Sequence, residues 1–244
     1  MKKVTIIIPC YNAEKYISES LISALEQSYQ NKEVIFVDNE SKDKSLEVAY
    51  SIKEKYPELI IETAKNIYPH SWQEPVEKAL QVFTGDYFTI VGADDVINKD
   101  YVSNNMKIFD KAPEKILCLQ SGISIFTDNV NIKKETVTYK YKSLQQMKEM
   151  LFERCVVNTP TVFYSRKLYE KGLTYWDSEK YLGAADYDLY FKLADNGVFI
   201  FPVPTCFGYN YRWHSEQSTW GMHQEQKDYG KIIVDFWRQK WKKD

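Results

Sequence analysis

Two adjacent carboxylates, Asp94 and Asp95, follow the apolar run at residues 87–91, where a buried strand ends. Side by side they raise each other's proton affinity unless a positive charge sits with them. A divalent cation meets that need, because carboxylates are hard oxygen ligands suited to magnesium or manganese. Such a cation takes further anions, and a sugar-nucleotide diphosphate supplies them, so that charge on a leaving diphosphate is neutralised. A plainer reading makes the pair a solvated turn, with Asp95 capping a short helix from about Asn98.

Around this pair the first hundred residues alternate short apolar runs with helical periodicity. Strands are predicted at residues 3–8, 33–38, 59–63 and 87–91, and helices at 13–27, 44–56 and 74–83. Such spacing points to crossover units on a mostly parallel sheet flanked by helices. A sheet of this kind binds ligands outside the carboxyl ends of its strands. Pro9 to Asn12, Asp38 with Asn39, Asn66, and Asp94 with Asp95 all fall there, so four strand ends converge on one crevice.

Beyond residue 114 the pattern changes: one or two strands at 115–129, a helix at 143–154, a short strand at 159–165 and a helix at 186–197 closed by Gly197. An extended stretch and a terminal amphipathic helix near Gly230 follow. The reading is a single α/β domain with three parts: residues 1–112 for a donor, 113–221 as an elaborated acceptor and catalytic half, and 222–244 as the terminal helix.

Composition narrows the function classes. A net charge of -2 from 32 basic and 34 acidic side chains argues against a nucleic-acid partner. Cys10, Cys118, Cys155 and Cys206 lie far apart, without Cys-x-x-Cys or local His, and read as buried thiols in a reducing compartment. The opening stretch reads as a core strand instead of a signal peptide, and no run reaches membrane-span length. A cytoplasmic location follows as an expectation.

The stretch "TIIIPCYNAEKYISESLISALEQSYQNKEVIFVDNESKDKS" resembles the opening of the family 2 glycosyltransferases with the A-type fold, over roughly residues 3–110 and again in shorter motifs at 180–218. That resemblance implies inverting transfer of a sugar from a nucleoside-diphosphate donor, usually with Mn2+ or Mg2+. It puts the nucleobase near Pro9, Tyr11, Asn12 and Asp38, whose carboxylate suits the N3–H of uracil and hence a UDP-sugar. Asn66 falls near the diphosphate and ribose, Asp94 toward the ribose or metal, and Asp95 as the direct metal ligand. Asp186 matches the general base, with Asp188 structural. Arg212 or His214 matches the contacts to the pyrophosphate, His214 also completing the metal shell, and Trp213 and Trp220 stack on a sugar or pin the loop.

Three departures stand out: Tyr68, Pro69 and His70 fill a segment usually containing glycine, Gly92 replaces the first Asp of an Asp-x-Asp-Asp motif, and Ala185 replaces a Glu. A non-catalytic carbohydrate-binding protein on the same fold stays open on that account. A nucleotidyltransferase is disfavoured, because "PCYNAEKY" has no glycine. The acceptor is expected to be a saccharide or lipid-linked glycan. For the terminal helix, packing on the domain or homodimerisation is favoured over peripheral contact with the inner face of a membrane.

Overall fold

A computed structural model of the chain describes residues 1–68, 71–112, 115–217 and 227–242; Pro69, His70 and Trp220 lie outside them. The first half runs β1 (Val4–Cys10), α1 (Ile17–Leu25), β2 (Lys32–Asp38), α2 (Ser45–Lys55), β3 (Ile60–Thr63), α3 (Gln73–Val82), β4 (Tyr87–Ile90), β5 (Val96–Ile97) and α4 (Tyr101–Phe109). The second half continues with β6 (Cys118–Ser121), β7 (Ile123–Phe126), β8 (Glu135–Val137), α5 (Leu144–Leu151), β9 (Phe163–Ser165), α6 (Arg166–Glu170) and α7 (Ser178–Tyr181). It closes with α8 (Ala185–Asp195), β10 (Ile200–Val203), β11 (Tyr209–Arg212) and α9 (Tyr229–Lys240).

The main sheet has seven strands in the order β10-β6-β9-β4-β1-β2-β3. Only β9 runs against its neighbours β4 and β6, and the remaining pairs are parallel. Every residue of β1 is buried, because both faces of the sheet are covered. Ile7 packs with Val76, Ala79 and Leu80 of α3 on one face. Ile6 and Ile8 meet Ile17, Leu21 and Ala24 of α1 on the other. The architecture is thus a single α/β domain with a mixed sheet between helical layers.

A second sheet, β5-β11-β7-β8, positions the site. Tyr209 pairs with Ile97 and Asn210 with Val96, which brings the end of β11 beside the Asp94–Asp95 turn. The helix expected from Asn98 is displaced by this pairing: residues 96–97 form a strand and α4 begins at Tyr101, so Asp95 caps nothing. The strand expected at 159–165 opens instead with one 3-10 turn at Thr159–Thr161, which Pro160 in the first turn accommodates.

Gly197 ends α8 as expected, at φ +74°, and Val198 N–H returns to Leu193 O at 2.9 Å. The terminal helix α9 packs on α8. Trp237 stacks on Phe191 with ring centres 5.8 Å apart and donates from Nε1 to Asp188 Oδ1 at 2.7 Å, which gives Asp188 a structural role. Lys240 and Trp241 both bind Asp195. Among the described residues no helix is long and apolar enough to cross a membrane.

At the opposite end of the sheet from the crevice, Glu33 accepts from Thr5 Oγ1, Thr84 N–H and Thr84 Oγ1, each at 2.6 Å, and pairs with Lys3 Nζ at 2.7 Å. Burial opposes its charge, but these bonds prevail and pull its pKa from 4.5 down to about 2. A depressed carboxylate pKa stabilises the fold above the unfolded value and loses that contribution as pH falls through the folded one. Glu33 is therefore expected to contribute on the order of 3 kcal/mol at neutral pH. In urea melts, the gap between the native chain and Glu33→Gln should shrink as pH drops from about 4.5 toward 2; a gap constant across that window would contradict the assignment.

Candidate active site

The carboxyl ends of β1, β2 and β3 and the turn after β4 enclose a cleft of about 730 Å³, whose walls include Pro9, Tyr11, Asn39, Asn66, Asp94 and His214. Tyr11 leaves its ring 52% exposed at this cleft. Asn12 adopts φ +51°, which its short side chain tolerates, and staples the next strand end: its Oδ1 accepts from Lys42 N–H at 2.7 Å and its N–H donates to Ser41 Oγ at 3.0 Å. Asp38 is buried beside the cleft. Its Oδ2 accepts from Ser41 N–H at 3.1 Å, whereas Oδ1 has no hydrogen-bond partner among the described residues, and the same holds for Asn39 Oδ1. Asn66 sits on a loop that Glu74 holds by accepting from the N–H groups of Ile67 and Tyr68.

The acidic pair divides its work. Asp95, expected as the direct metal ligand, is 2% exposed and turns both oxygens into the protein. Tyr209 OH donates to its Oδ2 at 2.6 Å and Arg212 N–H to its Oδ1 at 2.8 Å. Burial first, then the charge of Asp94, pushes its pKa well above the usual carboxylate range. Asp94 faces the cleft with Oδ2 2.9 Å from His214 Nε2. The His214 ring packs against Tyr16 at 4.6 Å and accepts at Nδ1 from Glu216 N–H, so the neutral tautomer carries its proton on Nε2 toward Asp94.

Arg212 lies beside the acidic turn. Its guanidinium, expected at the pyrophosphate, is buried, donating from Nε to Asp94 O and from Nη2 to Glu19 Oε2, each at 2.7 Å. The rings of Tyr16 and Phe126 flank it at 4.9 and 4.5 Å. Arg212 thereby clamps the acidic turn to β11.

Gly92, a departure from the Asp-x-Asp-Asp pattern, has a steric reason. A Cβ there would lie 2.6 Å from Asp95 Oδ2 and 2.9 Å from Asp94 Oδ1. The turn is closed further by Ser20 Oγ donating to Gly92 O at 2.8 Å and Gly92 N–H donating to Tyr209 OH at 2.9 Å. Gly92→Ala is expected to cost about 1–3 kcal/mol by overpacking and to lower activity by displacing Asp94; thermal unfolding and donor turnover measured together check it. Ser20, Tyr209, Tyr16 and Glu19 are site supports missed in the sequence. Only Ser20 carried a signal, as a polar residue on the apolar face of α1 three residues after Ile17.

Asp186 begins α8 and is absent from the cleft walls. Its Oδ2 accepts from Thr159 Oγ1 at 2.6 Å and its Oδ1 from Tyr187 N–H at 2.7 Å, while burial pushes its pKa up. Ser178 of α7, which packs beside α8, bonds Ser71 on the cleft wall and donates its N–H to Gln73 Oε1 at 2.9 Å. Ala185 is 2% exposed, so the Glu usual at that position would bring a carboxylate into the core. Trp213 is 43% exposed.

Among the described residues no three His, Cys, Asp or Glu side chains converge as a metal cage. Asp94 would offer a magnesium or manganese ion one carboxylate oxygen, whereas His214 would offer a nitrogen only in the tautomer whose Nε2 is unprotonated, giving up its present hydrogen bond to Asp94.

Comparison with known proteins agrees with this architecture. The profile of Glycosyl transferase family 2 matches residues 5–216. A Haemophilus influenzae protein named "Uncharacterized glycosyltransferase" is 38% identical over 109 residues, 43% of this chain and 42% of that protein. The Methanococcus voltae "Dolichyl N-acetyl-alpha-D-glucosaminyl phosphate 3-beta-D-2,3-diacetamido-2,3-dideoxy-beta-D-glucuronosyltransferase" is 26% identical over 219 residues, 84% of this chain and 65% of that protein. The chain thus spans less than two thirds of either relative. The crystal structure of S. aureus TarS 1-349 in complex with UDP-GlcNAc shares the fold, with a TM-score of 0.66 and 23% identity over 89% of this chain and 60% of that one.

Proposed function

The chain belongs to glycosyl transferase family 2, and from that premise we propose that it transfers a sugar with inversion from a UDP-sugar to an acceptor hydroxyl. In this reading Asp186 is the general base and Asp94 with His214 holds a divalent cation. What carries it is the meeting of Asp94 and His214, 120 residues apart in sequence, on the wall of a cleft shared with the strand ends. When bound, the cation would neutralise charge on the leaving diphosphate.

The chain's own residues do the rest. Tyr11 and Pro9 offer a surface for the base, and the unpartnered Asp38 Oδ1 is an acceptor that uracil N3–H would satisfy. Asn66 lines the same cleft toward the sugar-diphosphate. Asp95, Tyr209 and Arg212 fix the turn so that Asp94 points outward. Asp186, its pKa raised by burial toward working pH, accepts the proton of the attacking hydroxyl. The acceptor class, a saccharide or a lipid-linked glycan, is supported by the name of the Methanococcus relative.

The test is nucleoside-diphosphate release from a panel of UDP- and GDP-sugars with a broad acceptor mixture, with and without Mn2+. Metal-dependent release from a UDP-sugar is expected. Donor binding without turnover of any donor would point instead to a binding protein on this fold.

A further inference from the structure

The segment that meets Asp186 is itself rigidly framed. Thr159, the donor to Asp186 Oδ2, follows Asn158, whose N–H donates to Gln120 Oε1 at 2.8 Å. Asn158 Nδ2 donates to Ser121 O and Val137 O at 3.0 and 3.1 Å. Gln120 Nε2 donates to Tyr141 OH and Val156 O at 2.6 and 2.9 Å. Gln120 and Asn158 are 1% and 6% exposed, so two buried amides with every side-chain N–H satisfied anchor the turn to β6 and β8. Such a frame fixes one hydroxyl with little rotational freedom.

We propose that Thr159 is a positioning residue for Asp186, aimed by the Gln120–Asn158 frame, its hydroxyl orienting the carboxylate and stabilising the charged form. This rests on the reading of Asp186 as general base.

The surroundings leave that task to few groups. The titratable side chains facing Asp186 are Cys155, from the segment after α5, Tyr164 on β9 and Tyr190 on α8, and burial raises all three so that they stay neutral. Tyr187 turns its hydroxyl to Leu151 O, and Asp188 is engaged by Trp237 and Lys192. Lys180 on α7 lies over Tyr181 and Phe236, and Lys148 on α5 over Trp241. Among the described residues no cation forms an ion pair with Asp186, so its charge rests on Thr159 Oγ1, the N–H of Tyr187 and its own backbone N–H, and Thr159 is the one side chain among these donors. Valine keeps the shape of threonine and removes the donor.

The experiment follows the side-chain carboxyl resonance of Asp186 through a pH titration in protein labelled with carbon-13 aspartate, the peak assigned by Asp186→Asn. Thr159→Val should raise the midpoint by about one unit, the equivalent of losing one hydrogen bond to a charged group, and Thr159→Ser should restore it. If valine distorts the turn, Thr159→Ala reads the same shift. A midpoint unmoved by either donor-removing variant overturns the proposal. Nucleotide release by Asp186→Asn, measured beside it, separates the two claims: undiminished turnover removes the base assignment, whereas lost turnover with an unmoved midpoint removes only Thr159. In the active enzyme the acidic limb of the kcat/KM profile should move to higher pH in Thr159→Val by the same interval, a displacement that a purely structural role would not produce.

Discussion

Asp94→Ala is expected to lower kcat/KM for the nucleotide sugar by about 10²- to 10³-fold, the loss typical of one preorganised charge-stabilising group, and to abolish the response to Mn2+. The fold should survive, because Asp94 points into the cleft and its side chain meets only His214 in the described contacts. Asp95→Ala makes the contrast. Its carboxylate satisfies Tyr209 OH and Arg212 N–H inside the protein, and removing it leaves two buried donors unpaired. That should cost about 3 kcal/mol of stability. Thermal unfolding and donor release on the two variants together decide the matter. If Asp95→Ala keeps its unfolding temperature while Asp94→Ala keeps its metal response, the assignment of Asp94 to the cation is wrong.

The second large effect concerns Asp186. Asp186→Asn preserves size and one accepting oxygen, which can keep the bond from Tyr187 N–H, but removes the proton acceptor, and transfer should fall by about 10²- to 10⁴-fold. Donor affinity should hold, since Asp186 is not among the cleft walls. Calorimetric titration with UDP and Mn2+ beside initial-rate measurements distinguishes a chemical defect from a binding one. Because burial raises the Asp186 pKa, the base is competent only above that raised value, and the native rate should decline on the acid side earlier than an exposed carboxylate would dictate. A variant that transfers at the native rate would sink the base assignment.

These two expectations differ in how much of their basis was legible in the sequence. The alternation of apolar strands with periodic helices determined the first half of the fold, because a parallel strand covered on both faces must be apolar throughout, as β1 is. The same rule placed Pro9, Asn39, Asn66 and Asp94 at strand ends and so at one crevice, with Asp38 buried beside Asn39. It also placed Asp186 at the start of a helix closed by Gly197, since acidic residues favour a helix N-terminus and a left-handed cap favours glycine.

Both carboxylates of the pair border the cleft, and only the tertiary structure decided which of them is buried and which stays accessible. That choice is made by β11, which pairs with β5 and delivers Tyr209 and Arg212 to Asp95 across 114 and 117 residues. Local pattern carries no trace of such a pairing. Arg212, of a residue type that is seldom fully buried unless paired, is enclosed here by two rings, a backbone carbonyl and Glu19 together. The steric demand for Gly92 arises in the same way, from side chains folded back over the turn. The sequence by itself determined the strands and helices of the first half as far as β4 and the crevice at their carboxyl ends, whereas β5 took the place of an expected helix and a 3-10 turn opened the expected strand at 159–165. The orientation of each charged side chain within that crevice came from long-range hydrogen bonds, whose partners are set by packing and not by neighbours in the chain.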